Sequence, residues 1–468
     1  MKRAILLLFL VFPLLPTRAV GVLEKSFKAN NGWKAGVARL NITPKQSLWM
    51  AGYANRKHAA EGTRLELYAK ALALEDAVGN RAVLVTTDLL GLPKEVSDNI
   101  REQLQAKFHL ARAQVLLNSS HTHSAPVLGS ALSDVYPLDE GEKQKIVDYT
   151  RTLEKQIIVL VGQALKALKP ARLYARNGVT RFQVNRRTNN EDSLLQKTDL
   201  AGPNDYAVPV IKVVNAKGKL KAIAFGYACH PTVLNDYKWS GDYPGFAQLE
   251  LEKEHRRATA LFFQSAGADQ NPLPRRSEAL ARQYGRELGA AVDRVLAEKM
   301  PELAPVLKTA YTEINLPLDN PLSEAELLQV ANDTTAAHNQ RWARRMLTEI
   351  KQGKSFRTSY PYPLQAWQLG DQLLLGLGGE VVVEYAIQLK KMYGLNTFVL
   401  GYSNDVMAYI PSARILEEGG YEGATSQMVY GLPASWAPGI EETILNGMRE
   451  ITKQIGVEPA ATSPLKPK

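Results

Sequence analysis

The chain has 468 residues, a net charge of +10 from 57 basic and 47 acidic side chains, and a single cysteine, Cys229. The positive excess is thinly spread and no basic tract is interleaved with aromatics, which argues against a nucleic-acid partner. One thiol excludes an internal disulfide, so stability must come from a large apolar core, which a chain of this length can supply.

In chain order, the first prediction is export. Lys2 and Arg3 precede an apolar run from Ala4 to Leu15, and Thr17-Arg18-Ala19 follows. That is the layout of a secretory signal peptide, here residues 1–19. The run falls short of the ~20 apolar residues needed to span a bilayer, and no later stretch reaches that length. The mature protein is therefore expected to be soluble and either periplasmic or secreted. Trp33 to Ile42 predicts a strand, and Leu67 to Leu74 with Arg81 to Asp88 predicts a pair around Gly79-Asn80. Lys94 to Phe108 has helical spacing, Gln114 to Asn118 a short buried strand, and Asp139 to Leu168 a long amphipathic helix. Ala207 to Val214 and Leu220 to Tyr227 predict a hairpin, then a helix over Pro244 to Arg257, a strand over Ala260 to Phe263 and a helix over Ser277 to Lys299. An extended Leu303 to Leu316, helices from Ser323 to about Gly353, and a hairpin over Ala366 to Leu377 come next. A helix over Val381 to Met392, a strand over Thr397 to Gly401 and a helix over Ile440 to Ile455 complete the body. The pattern predicts an α/β protein with mixed β-sheets flanked by helices, one large catalytic domain over residues 20–455. Residues 456–468, rich in proline and alanine, are expected to form a disordered tail.

Two of the seven histidines share one phrase, Ser119-Ser120-His121-Thr122-His123-Ser124, directly after the buried strand. In extended backbone, residues two apart project to one side, so His121 and His123 could both face one ion, or one the ion and one the substrate. His230 also ends an apolar strand, at Cys229-His230-Pro231, while Cys229 is expected in the core. Glu380, after Gly378-Gly379, is expected at a helix start, where it could serve as an oxygen ligand or simply face the helix dipole. Glu384 is expected to face solvent. His109, His255 and His338 are expected on the surface, and His58 with Arg56 in a solvated loop.

The combination resembles the amidase domain of the neutral/alkaline, non-lysosomal ceramidase family. Nine phrases carry the resemblance, in order: Gly36 to Pro44, Met50 to Ala54, Thr87-Asp88-Leu89, Ser120 to Pro126, Val184-Asn185-Arg186, His230 with Ser240-Gly241-Asp242, Gly378 to Glu380, Gly401 to Asn404, and Tyr421 to Ala424. The resemblance implies one zinc ion bound by His121, His230, Glu380 and Tyr409. It implies His123 beside the metal, contacting the scissile group or shuttling protons, and Arg186 and Tyr421 hydrogen-bonding the substrate amide. Asp88 and Asp242 would either support the ligand histidines or serve as turn and capping residues. Two departures stand out. Gln270 takes the place of the family's substrate-contacting serine within Gly267-Ala268-Asp269-Gln270-Asn271-Pro272, so Asp269, Gln270 and Asn271 are expected along the substrate pocket. The family's C-terminal immunoglobulin-like domain is expected to be absent.

The function expected from this resemblance is cleavage of an amide bond in a small-molecule or lipid N-acyl substrate by zinc-activated water, with a membrane surface as a peripheral partner. Two alternatives stand beside it. One is a zinc esterase or deacylase acting on a carbohydrate or other polar substrate, in keeping with a mean hydropathy of −0.22. The other is a non-catalytic protein that retains the fold.

Overall fold

The computed structural model describes residues 32–460. The signal-peptide expectation over residues 1–19, and residues 461–468 of the expected tail, lie outside them. Among the described residues no helix is long and apolar enough to cross a membrane.

Eight strands form the larger sheet: β1 (Trp33–Asn41), β2 (Tyr68–Glu75), β3 (Arg81–Thr87), β4 (Val115–Ser119), β5 (Lys169–Val179), β6 (Ala207–Asn215), β7 (Leu220–Tyr227) and β8 (Thr259–Gln264). Their order is β8-β7-β6-β5-β1-β2-β3-β4. The two end pairs, β7/β8 and β3/β4, are parallel; the other neighbours are antiparallel. A second sheet runs β9 (Leu307–Pro317), β10 (Ser359–Leu369), β11 (Gln372–Leu377), β12 (Phe398–Leu400). The helices are α1 (Lys94–Phe108), α2 (Glu140–Lys166), α3 (Asp242–Glu254), α4 (Glu278–Ala297), α5 (Glu324–Asn332), α6 (Ala337–Lys351), α7 (Val383–Tyr393) and α8 (Ile440–Gln454), with two shorter ones between α7 and α8.

Alternation along single strands shows how the layers assemble. On β4, Val115 and Leu117 pack with α1 and α2, through Ile100, Leu104, Leu153 and Ile157. Leu116 faces the other way and joins Leu374, Phe398 and Leu400 of the second sheet. On β7, Ala222 and Ala224 face the second sheet, whereas Ile223 and Phe225 face α3 and α4. The second sheet buries its far side against α7 and α8, through Tyr385, Leu389, Ile444 and Met448. The result is a helix–sheet–sheet–helix stack. Strands buried on both faces need near-continuous apolar sequence, which is why Gln114 to Asn118 and Leu220 to Tyr227 are readable as strands. β5 escapes that reading. Its inward Ala171, Leu173 and Ala175 alternate with outward charged residues in a segment bounded by Pro170 and Gly178.

Asn118 decides where the functional residues go. It is the last residue but one of β4, at one edge of the larger sheet, yet its side chain reaches β8 at the other edge. Its Oδ1 accepts from Gln264 N (2.7 Å), and its Nδ2 donates to Gln264 O (3.2 Å), Gly401 O (2.8 Å) and Ser403 Oγ (3.2 Å). The Asn118 amide thus ties together the exits of β4, β8 and β12, alongside main-chain bonds such as Asn404 N to Leu117 O (2.7 Å), and the loops after them share a single space.

Candidate metal centre

The chain leaves β4 at Ser119 and turns sharply, with His121 at φ 65° in the left-handed region. The His121 and His123 rings therefore do not project from an extended strand as expected. They meet because the backbone reverses between them, bringing the ring centroids to 5.0 Å at 81°. The turn is held by His121 N donating to Leu89 O (2.9 Å) and by Arg56 donating to His123 O (2.8 Å). Arg56 is thus buried, while His58 is exposed and stacks on Tyr237. His230 follows β7 and lies fully buried, and Cys229 beside it is in the core as expected. His121, His123 and His230 bring one ring nitrogen each within 4.8 Å of the others.

Glu380 and Tyr409 arrive together. Gly378 and Gly379 carry the chain out of β11, with Gly379 at φ +72°, where a β-carbon would collide with Ala408 O at 2.8 Å. Glu380–Val381 then pairs in parallel with Tyr409–Ile410, so Glu380 and Tyr409 are direct cross-strand partners. Glu380 is therefore not at a helix start: α7 begins three residues later, at Val383. Glu384 is half-buried rather than solvent-facing, held by Ser412 and Arg414.

Four donor atoms converge. His121 Nε2 lies 3.0 Å from Glu380 Oε2, and His230 Nε2 lies 3.0 Å from the same oxygen. The Tyr409 hydroxyl lies 3.3 Å from His230 Nε2. The carbonyl oxygens of Leu90 and Gly267 lie 2.6 and 3.1 Å from the Nδ1 atoms of His121 and His230. A carbonyl can only accept, so both rings donate from Nδ1 and turn Nε2 inward. With Nε2 unprotonated, lone pairs of two imidazoles and a carboxylate this close repel one another unless a cation lies among them. Bonds of about 2.0–2.1 Å to nitrogen and oxygen give a tetrahedron edge of about 3.3 Å, close to these separations. The donor set fits a divalent zinc-type ion.

The electrostatics agree. Burial alone would raise the Glu380 carboxyl, but His121 and His230 beside it hold it well below the usual carboxylate range. Burial, reinforced by Arg186, pushes His230 down to about 4. Burial, with His121 and His230 as neighbours, also pushes His123 well below the usual imidazole value. Glu380 is thus a carboxylate, and His230 and His123 are neutral imidazoles. His123 Nε2 sits 3.3 Å from His121 Nε2, and its Nδ1 is buried without a partner.

Arg186 donates to Glu422 Oε1 (2.8 Å) and to the Tyr409 hydroxyl (3.1 Å), and its guanidinium lies over the Tyr409 and Tyr421 rings. Tyr421 is 45% exposed and stands at the mouth of a cavity of about 160 Å³ that contains His121, His123, Glu380 and Tyr409. Asp269 and Gln270 do not line this cavity. Asp269 accepts from Asn185 Nδ2 (2.7 Å) and Val383 N (2.8 Å), fixing the segment that carries Arg186 to the start of α7. Gln270 is fully buried; its Nε2 donates to Ala228 O and its main-chain carbonyl accepts from His230 N. Asn271 lines a separate polar groove that shares Arg186 and Tyr421 with the site. Asp88 and Asp242 touch neither histidine: Asp88 accepts from Tyr68 N and Gln248, and Asp242 from Leu234 N and Tyr243 N. Backbone carbonyls do the orienting instead. Sequence reasoning also missed Tyr430, which donates to Glu380 Oε1, and His338, which lines the cavity from α6 although His109 is exposed and His255 pairs with Asp293 as surface residues do.

Residues 33–273 match the family described as neutral/alkaline non-lysosomal ceramidase, N-terminal. The chain belongs to that family. Similar ceramidases include neutral ceramidase B of Dictyostelium discoideum, 28% identical over 274 residues, 54% of this chain and 37% of that protein. The neutral ceramidase of Pseudomonas aeruginosa is 26% identical over 253 residues, 51% of this chain and 37% of its own length. The matched segment thus spans less than two-fifths of either relative. Among solved ceramidase structures, a ceramidase complexed with C2 superposes with a TM-score of 0.71 at 18% identity, covering 94% of this chain and 78% of that one. The crystal structure of the Pseudomonas aeruginosa neutral ceramidase gives a TM-score of 0.68 at 20% identity, covering 94% and 77%. The mixed α/β architecture is the ceramidase fold.

Proposed function

We propose that this member of the ceramidase family is an exported, zinc-dependent amidohydrolase that cleaves N-acyl sphingosine or a related N-acyl amine. The observation that carries the reading is the convergence of the inward-facing Nε2 atoms of His121 and His230, Glu380 Oε2 and the Tyr409 hydroxyl at 3.0–3.3 Å in a buried pocket. Export rests on the signal-peptide pattern of residues 1–19, which directs the mature chain to the periplasm or medium. A zinc ion held by these four residues supplies Lewis-acid activation of water near neutral pH.

The chain's own residues supply the rest. His123, kept neutral by burial and its histidine neighbours, takes a proton from the attacking water at a ring nitrogen. It returns that proton to the departing amine as the carbon–nitrogen bond breaks, because an amide nitrogen leaves poorly unprotonated. Burial works against the Arg186 charge, but Tyr409 and Glu422 more than restore it. Its fixed cation, with the Tyr421 hydroxyl, hydrogen-bonds the amide oxygen and stabilises the charge that develops there.

Purified mature protein, assayed on a panel of fluorogenic N-acyl amides with chelator and after zinc restoration, tests this reading. One zinc per chain and chelator-sensitive release of the amine are expected. Undiminished turnover by metal-free protein, or a zinc-loaded protein inert on every amide, would contradict it.

A further inference from the structure

The substrate space has two unlike compartments that meet at Tyr421. Inward lies the cavity of about 160 Å³, whose walls away from the donors are apolar: Leu90, Leu132, Val135, Tyr136 and Val429. Outward lies a groove of about 690 Å³ lined by polar side chains, among them Arg187, Asn190, Ser193, Lys197, Asn271 and Arg275. The cations there are largely matched by acids, Arg187 with Glu418 and Glu422 and Arg275 with Glu191. The groove thus offers mixed hydrogen-bonding chemistry and little apolar surface.

One wall of the inner compartment is built by α6. His338, on the first turn of α6, faces it, and α6 is pinned over it. Arg341 donates to Asp134 O (2.8 Å) and to Val135 O, Arg345 to Asp134 Oδ2 (2.8 Å), and Trp342 Nε1 to Leu432 O (2.9 Å). These bonds tie the helix to the two segments that carry Leu132, Val135, Val429 and Tyr430. Space of about 150 Å³ accepts a ligand the size of benzene, about six heavy atoms. Part of the present cavity must also hold the reacting carbonyl, so a long acyl chain does not fit.

Resting on the amidase reading above and choosing between the two substrates it allows, we propose that the substrate is the related N-acyl amine rather than N-acyl sphingosine: a short-chain N-acyl derivative of a polar, water-soluble amine. The acyl group seats against Leu132, Val135 and His338, and the amine portion lies in the groove past Tyr421. Lipid-length acyl chains and the sphingosine tail are excluded by volume and by the groove's polarity.

The test crosses acyl length with amine character, using zinc-loaded enzyme on N-acetyl and N-palmitoyl derivatives of both glucosamine and sphingosine. The kcat/KM for the N-acetyl polar amide should exceed that for N-palmitoyl sphingosine by at least about 100-fold, the scale of methylene-by-methylene discrimination in a closed pocket. A His338→Ala or Val135→Ala variant should raise the hexanoyl-to-acetyl ratio by about 10-fold, and Lys197→Ala with Asn271→Ala should raise KM for the polar amide more than kcat falls. Preference for N-palmitoyl sphingosine, or an acyl ratio unmoved by both wall variants, would overturn the proposal while leaving amide hydrolysis intact. Failure to cleave any of the four substrates with zinc bound would overturn the amidase reading as well.

Discussion

Gly52 sits at φ +105°, and a β-carbon there would come within 2.5 Å of the His123 ring. The position of the proton carrier thus depends on a side chain that is absent. Gly52→Ala should keep zinc, since no ligand touches Gly52, but cost about 100-fold in turnover, as displacements near 1 Å do; a metal assay beside a rate measurement separates the two. Asp405 gives a second residue-scale expectation. Burial pushes its carboxyl from 3.8 to about 7, opposed by the hydrogen bond from Tyr360 and by Lys94, and aided by Glu95 and Asp98. The folded protein therefore holds a proton that the unfolded chain has released, so this group's contribution to stability falls as pH rises from 3.8 to about 7. Asp242 and Asp269, pushed to about 6, act in the same sense at lower pH. Urea unfolding of Asp405→Asn should show a flatter decline than wild type, most clearly between about 6 and 7; identical slopes would contradict the assignment. At this scale His121, His123 and His230 were legible because histidine at a strand exit is a chemical signal. Tyr409 was legible only through resemblance, since nothing local distinguishes it from a core aromatic. Tyr430 and the Leu90 and Gly267 carbonyls were not legible, because long-range folding alone makes them neighbours of Glu380 and the histidines.

Among the elements, Asn118 joins three strand exits, and its removal is the sharpest test of how the site is assembled. Asn118→Leu keeps the volume but strands Gln264 N and Gly401 O in the interior. It should cost about 3 kcal/mol, as buried groups left unpaired do, and should weaken zinc binding although no ligand is changed. Denaturant unfolding with and without zinc measures both effects; full stability would show that the edges meet without it. The apolar elements were well marked: Lys94–Phe108 and Leu220–Tyr227 fall where periodicity puts them. β5 was missed because its outward face is charged and its ends hold proline and glycine. The two-residue pairing of Glu380 with Tyr409 is too short for any periodicity to reveal.

For the whole molecule, the two sheets and their helices explain why loops distant in sequence share one pocket. The matched family segment ends at residue 273, whereas Glu380 and Tyr409 come from the second half. The site is therefore a product of the complete stack rather than of the matched segment. The mixed α/β architecture was readable from the alternation of elements, but the link from Asn118 to Gln264 was not, since it joins strands at opposite ends of the order. Anomalous diffraction at the zinc edge, from crystals of the protein purified without added metal and then equilibrated with zinc, is the most direct test of the central claim. A single strong peak enclosed by His121 Nε2, His230 Nε2, Glu380 Oε2 and the Tyr409 hydroxyl, lost in His121→Ala, is expected. No peak there, or one held by other residues, would contradict the metal centre and the amidase chemistry built on it.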